Sequence, residues 1–174
     1  EYLSLMDEFN INTYGIEHSQ ESVDYCINKG LNVSKMYLEN SNDIINKNFN
    51  FDAFFILNFF EHLVNPSLTL KILSENLNED AVGIIEVPNF DMMLKNNLFS
   101  EFINDHLFYF TKETLTSTLS NNGFEIVELN EVWHDYIISA VVKKRKNLDL
   151  THFKHYQNEM TNELTKYINN FKDV

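Results

Sequence analysis

Apolar and polar positions follow two rhythms along this chain, and the rhythms alternate. YGIEHS at 14–19 is a short apolar stretch with a polar end and predicts a strand. Ser19 stands where a helix N-cap belongs, ESVDYCINK follows at 21–29, and Gly30 suits the left-handed position that closes a helix. Val23, Cys26 and Ile27 keep the three-and-four spacing of a buried helical face. SKMYLEN at 34–40 predicts a second strand and NDIINK at 42–47 a brief helix. FDAFFILN at 51–58 predicts a third strand, and its continuous apolar run suits cover on both faces, as in parallel sheets. Asn65 and Pro66 are a cap and a first-turn proline, and Leu70, Leu73 and Leu77 follow on one helical face. AVGIIEVPN at 81–89 reads as a fourth strand stopped by Pro88. Thr111 caps a helix that carries Leu115 and Leu119 and ends at Gly123. FEIVELNEVW at 124–133 and IISAVVKK at 137–144 are two further strands, close enough in sequence to form an antiparallel hairpin.

Strands alternating with helices imply an α/β fold: a Rossmann-like, doubly wound, mostly parallel sheet, here with a C-terminal antiparallel hairpin. From residue 149 the rhythm becomes helical throughout. Phe153, Tyr156, Met160, Leu164, Tyr167 and Phe171 form one apolar stripe. The chain thus divides into a core at 1–146 and a C-terminal amphipathic helix at 147–174. That helix suits the start of a further domain, or an interaction surface for a homo-oligomer.

Composition narrows the partners. Thirteen Lys plus Arg stand against 26 Asp plus Glu, a formal charge of −13. Nucleic-acid binding depends on basic residues neutralising phosphates, so a nucleic-acid partner is not expected. KKRK at 143–146 is the one basic run and reads as the solvated end of a strand. A single cysteine, Cys26, excludes an internal disulfide and a cysteine zinc cluster, and fits a reducing cytoplasm. No run reaches the roughly 18 apolar residues of a membrane span, so no membrane is expected as partner. His152 and His155 have i, i+3 spacing but lack a third ligand, and no metal is expected.

Ligands of open α/β sheets sit beyond the carboxyl ends of the strands. Here each end is polar: Glu17 and His18, then Glu39 and Asn40, then Asn58 to His62, then Pro88 and Asn89. A carboxylate at the first of these can accept hydrogen bonds from two ribose hydroxyls. The order of motifs resembles the class I S-adenosylmethionine-dependent methyltransferases. GIEHS looks like the strand end whose acidic residue holds the ribose, matching Glu17 with His18 beside it. YLEN resembles the segment that flanks adenine, matching Leu38 and Glu39. FDAFFILNFFEHLVNP closely resembles the fourth-strand motif, with Asn58, Phe59 and His62 as cofactor contacts and Glu61–His62 as a pair that could serve structurally.

VPNF at 87–90 with DHLFYFTKETL at 105–115 is similar to the sugar C-methyltransferase-like subgroup. In that subgroup an acid–histidine pair lies over the substrate, which assigns Asp105, His106 and Tyr109 to catalysis. The resemblance implies S-adenosyl-L-methionine as cofactor and a small molecule, a nucleotide-linked sugar or carbohydrate precursor, as acceptor. A histidine titrating near neutrality suits proton removal beside a ketone. The family's glycine-rich loop has no counterpart in this sequence, and the match begins at EYLSLMDEF, which resembles the helix after that loop. The central first strand is therefore expected to be missing, leaving its two neighbours with open edges, and the isolated chain is expected to bind cofactor poorly. A non-catalytic domain of this fold, acting in assembly through the C-terminal helix, is the alternative. A nicotinamide-dependent enzyme is disfavoured by the terminal hairpin and the Glu–His motif.

Overall fold

The computed structural model describes residues 2–145, 164–166 and 168–170. Helix α1 (Tyr2–Glu8) precedes β1 (Gly15–Glu17), α2 (Gln20–Asn28) and β2 (Val33–Lys35). Next come β3 (Phe51–Leu57), a 3-10 turn at Phe60–His62, α3 (Pro66–Glu75) and β4 (Leu77–Pro88). The chain continues through α4 (Phe90–Lys95), a 3-10 turn at Phe99–Glu101, α5 (Lys112–Asn121), β5 (Phe124–Val132) and β6 (Ile137–Lys144).

The described strands fall into two sheets. In one, β1 and β2 run parallel. The other has the order β3-β4-β6-β5, with β3 parallel to β4 and the β5–β6 hairpin antiparallel. The fold is therefore α/β with a mixed sheet. Neither edge of β3 nor of β1 is hydrogen-bonded to the other among the described residues, so the sheet is split at the expected place.

Local chemistry explains most boundaries. The Ser19 hydroxyl accepts the Ser22 N–H to start α2, and Gly30 at φ +80 ends it. The Asn65 side chain accepts the Leu68 N–H ahead of Pro66. Thr111 and Thr114 form a reciprocal capping box at α5. Leu70, Ile72, Leu115 and Leu119 from α3 and α5 bury against Ile85, Val87, Ile138, Ala140 and Val142 of the sheet. Gly83 pairs with Phe54 across β3–β4, and a Cβ there would lie 2.2 Å from the Phe54 ring. The glycine makes room for that ring to pack on Phe124, 5.5 Å away between centroids.

Several expectations change. Residues 42–47 form no helix. The buried Asn76 side chain at the end of α3 holds them, accepting the Ile45 N–H (2.7 Å) and donating to the Asp43 carbonyl (2.9 Å). β2 stops at Lys35, so YLEN is not strand: the Asp43 carboxylate accepts the Glu39 and Asn40 N–H groups and turns the chain. β3 is not covered on both faces; Ala53 and Phe55 are exposed. On α2 only Val23 is buried, with Cys26 half-buried and Ile27 exposed. The start of KKRK is not freely solvated: Lys143 pairs with Asp80 (3.0 Å), and Lys144 donates to the Ser74 and Leu77 carbonyls at the end of α3 (2.6 and 2.7 Å). Residues 164–166 and 168–170 are helical; the remainder of the amphipathic stretch, with His152 and His155, lies outside the described residues. No helix among the described residues is long and apolar enough to cross a membrane.

Candidate active site

β3 delivers the chain to the site and one residue reverses its direction. Asn58 takes a left-handed conformation at φ 49 while its N–H still reaches the Glu86 carbonyl of β4 (3.0 Å). Asparagine tolerates that region better than most residues. The next residues form the 3-10 turn, and Phe60 drives it inward. Its ring is fully buried and packs on Phe110 at 5.3 Å. Glu61, adjacent to that anchor, is carried inside as well and is 2 % exposed.

The segment before α5 lies over this turn. The Glu61 carbonyl accepts N–H groups from both Leu107 (3.0 Å) and Phe108 (3.1 Å). His62 Nδ1 lies 2.8 Å from the Asp105 carbonyl oxygen, so Nδ1 carries the proton and Nε2 the lone pair of the neutral ring. His62 and His106 meet edge to face, 4.7 Å between centroids. Both present Nε2 to one atom: Glu61 Oε1 is 3.9 Å from His62 Nε2 and 3.9 Å from His106 Nε2. The other Glu61 oxygen, Oε2, is buried with no hydrogen-bond partner. Burial pushes the Glu61 pKa up. Burial, then the neighbouring His62, hold the His106 pKa below the ordinary histidine value.

The three expected catalytic residues, Asp105, His106 and Tyr109, lie in or beside this cluster. Asp105 is exposed; its carboxylate lies 3.7 Å from His62 Nδ1, and its charge also favours the protonated form of His106, against the effect of burial. The Glu61 carboxylate also faces His106, 3.9 Å from its Nε2, and its burial depends on Phe60 meeting Phe110 far along the chain. Tyr109 lies 5.9 Å from His106 between ring centroids. Its hydroxyl is occupied, however, accepting the Ile103 N–H (3.1 Å) and donating to the Ile103 carbonyl (3.4 Å). Nearby, the Tyr136 hydroxyl donates to Glu101, which pushes its pKa up to about 12.

An open cleft of about 480 Å³ adjoins this cluster, lined by His18, Tyr37, Glu39, Phe59, His62 and Val64. It brings together four of the expected cofactor contacts, His18, Glu39, Phe59 and His62, from β1, the β2 exit and the β3 exit. Glu17 stands next to it and accepts the His18 N–H (2.9 Å). Asn58 is exposed beside Phe59, and Leu38 is spent in the core. Tyr37 and Val64 were not anticipated; Tyr37 lies within YLEN, and nothing in the spacing marked Val64. A larger cleft of about 550 Å³ is formed by residues 41–44 and 46–50 with Glu75 and Asn76. It borders the start of β3, opposite the strand ends where open α/β sheets hold ligands.

A family model described as "Methyltransferase domain" matches residues 1–129. Solved structures share the fold. A SAM-dependent methyltransferase from Archaeoglobus fulgidus is 20% identical, with 82% of this chain and 80% of that chain covered and a TM-score of 0.61. An S-adenosylmethionine-dependent methyltransferase from Clostridium acetobutylicum ATCC 824 is 17% identical, covering 78% and 76%, with a TM-score of 0.58. The plantazolicin methyltransferase BpumL, in complex with a triazolic desmethylPZN analog and SAH, is 14% identical, covering 78% and 68%, with a TM-score of 0.57. No curated protein matches the chain.

Proposed function

The chain belongs to the methyltransferase-domain family, and from that premise we propose that it transfers a methyl group from S-adenosylmethionine to a small molecule, a nucleotide-linked sugar or related carbohydrate precursor. The observation that carries the reading is the meeting of a ligand-sized cleft at the carboxyl ends of parallel strands with a Glu–His–His cluster built on the buried Glu61 carboxylate. The acceptor class rests on the resemblance of VPNF and DHLFYFTKETL to sugar C-methyltransferases.

The lining suits an adenosyl group. Tyr37 and Phe59 offer flat apolar surface, and Glu39 and His18 offer polar contacts. Glu17, at the end of β1, is the acceptor for ribose hydroxyls. Leu38 has a buried side chain and would meet the adenine through its backbone, between the lining residues Tyr37 and Glu39. When bound, S-adenosylmethionine supplies an electrophilic methyl group on a sulfonium. The chain's own residues orient the acceptor and handle its proton. His106, whose pKa burial holds below the ordinary histidine value, is the residue on which acceptor activation depends. Taken alone, its imidazole would accept the proton directly, with the Glu61 carboxylate 3.9 Å away and the Asp105 charge favouring the resulting cation. Orientation of the two reactants can supply roughly 7–11 kcal/mol of the barrier.

Calorimetry on the full-length protein tests the reading. S-adenosylmethionine should bind, and Glu17→Ala should weaken it by about tenfold or more, the loss of a charged hydrogen bond. His106→Gln should keep cofactor binding and lose turnover against a panel of deoxysugar nucleotides. Absence of cofactor binding would favour a non-catalytic domain of this fold. Equal affinity in Glu17→Ala would remove the ribose assignment, and unchanged turnover in His106→Gln would retire that histidine.

A further inference from the structure

The geometry points to a divalent transition-metal site, of the Zn²⁺ class, formed by Glu61, His62 and His106 beside the cleft. Each of the three offers one ligand atom, and these atoms all lie within 4.8 Å of one another. Four features favour an ion over a hydrogen-bonded cluster. Both imidazoles stand 3.9 Å from the same Glu61 oxygen, too far for hydrogen bonds, yet they converge on it. The ordinary metal–ligand distance is about 2.0–2.2 Å, so tetrahedral ligand atoms lie about 3.4 Å apart; closing the site shortens the two Glu61–histidine distances by roughly half an ångström and the remaining pair, now within 4.8 Å, by up to about 1.4 Å.

Second, Glu61 is 2 % exposed and its Oε2 has no partner. An orphaned buried carboxylate oxygen costs free energy, and a cation is the partner that relieves it best. Third, His62 is oriented as metal-binding histidines are. Its Nδ1–H donates to a backbone carbonyl, that of Asp105 at 2.8 Å, which fixes the ring and leaves Nε2 with the lone pair. Fourth, the donor set is two imidazoles and one carboxylate. This set suits Zn²⁺ or Fe²⁺ with an open coordination position, whereas Mg²⁺ prefers an all-oxygen octahedron.

The inference deepens the methyltransferase reading where it concerns use, though the binding itself stands apart from it. With an ion present, the His106 lone pair goes to the ion. An acceptor hydroxyl in the open position is then acidified by the ion and loses its proton to solvent. The acceptor class becomes one with a metal-binding oxygen, such as a hydroxyl next to a carbonyl.

The test uses tag-free full-length protein, stripped with a chelator and titrated with Co²⁺ and with Zn²⁺. The expected result is one ion per chain, a visible Co²⁺ absorption that Zn²⁺ abolishes, and a rise in melting temperature with Zn²⁺. Glu61→Gln, His62→Gln and His106→Gln should each weaken binding roughly tenfold or more. His106→Gln is the safeguard if the Glu61 variant fails to fold. Absence of Co²⁺ absorption and of any melting shift, or binding that survives all three substitutions, overturns the site. S-adenosylmethionine calorimetry in parallel separates the outcomes. Cofactor binding without metal binding refutes the site and spares the methyltransferase reading; metal binding without cofactor binding does the reverse.

Discussion

Asn89 is the side chain whose removal should disturb the most structure for the least change in volume. It is fully buried at the end of β4. Its side-chain oxygen accepts the Asp91 N–H (3.1 Å) and the Met92 N–H (3.4 Å), which caps α4. Its amide nitrogen donates to Glu131 Oε1 (3.0 Å) and to the Asp135 carbonyl (2.8 Å), which ties down the β5–β6 hairpin. Asn89→Ala loses all four contacts and opens a small void. Loss of the cap costs about 1 kcal/mol. The Asp135 carbonyl loses this donor, for roughly 1–3 kcal/mol more. The Glu131 carboxylate is cushioned, since Lys112 lies 2.9 Å away. The expected total is about 2–4 kcal/mol, a sizeable part of a stability of about 5–15 kcal/mol.

Urea denaturation should show the loss as a lower midpoint with an unchanged slope. The same variant has an independent readout. Hydrogen bonding from Lys112 is the main cause of the lowered Glu131 pKa, and Asn89 is a further contributor. In Asn89→Ala that pKa should move up, partway towards the ordinary value, in an NMR titration of the side-chain carboxyls. A stability loss under about 0.5 kcal/mol, the level of an ordinary surface change, would refute the reasoning.

Gly83→Ala should cost roughly 1–3 kcal/mol by overpacking against Phe54; adding Phe54→Ala should make the pair less harmful than the sum of its parts, and strict additivity would reject the contact. The folded Tyr136 pKa, about 12 against an ordinary 10.0, is raised. Its stabilisation is therefore fully present below the unfolded value and lost as pH rises from about 10 to about 12. Tyr136→Phe should be less stable than the parent at neutral pH, with the gap closing through that window; a constant gap in urea midpoints would reject the link to Glu101.

The strand and helix order was legible because each element carries its own period. Its caps were legible too, since Ser19, Asn65 and Thr111 act within three residues. Residues 42–47 misled because a single side chain from α3, Asn76, outweighs their weak helical spacing. Four residues of the polar strand ends, His18, Glu39, Phe59 and His62, line one cleft. The contrast between buried Glu61 and exposed Asp105 was not legible. It is set by Phe60 packing on Phe110. The Glu61–His62–His106 convergence is a property of the fold alone, because 3-10 turn and pre-helix segment meet only in three dimensions.

One peptide group has a practical consequence for redesign. Because the Glu61 carbonyl receives both Leu107 and Phe108 amides, the stretch ahead of α5 is not an interchangeable module. Grafting a foreign loop over residues 102–109 would also re-aim the carboxylate and imidazole beneath it. Laboratory evolution of new specificity should therefore recover paired changes on both sides of that junction.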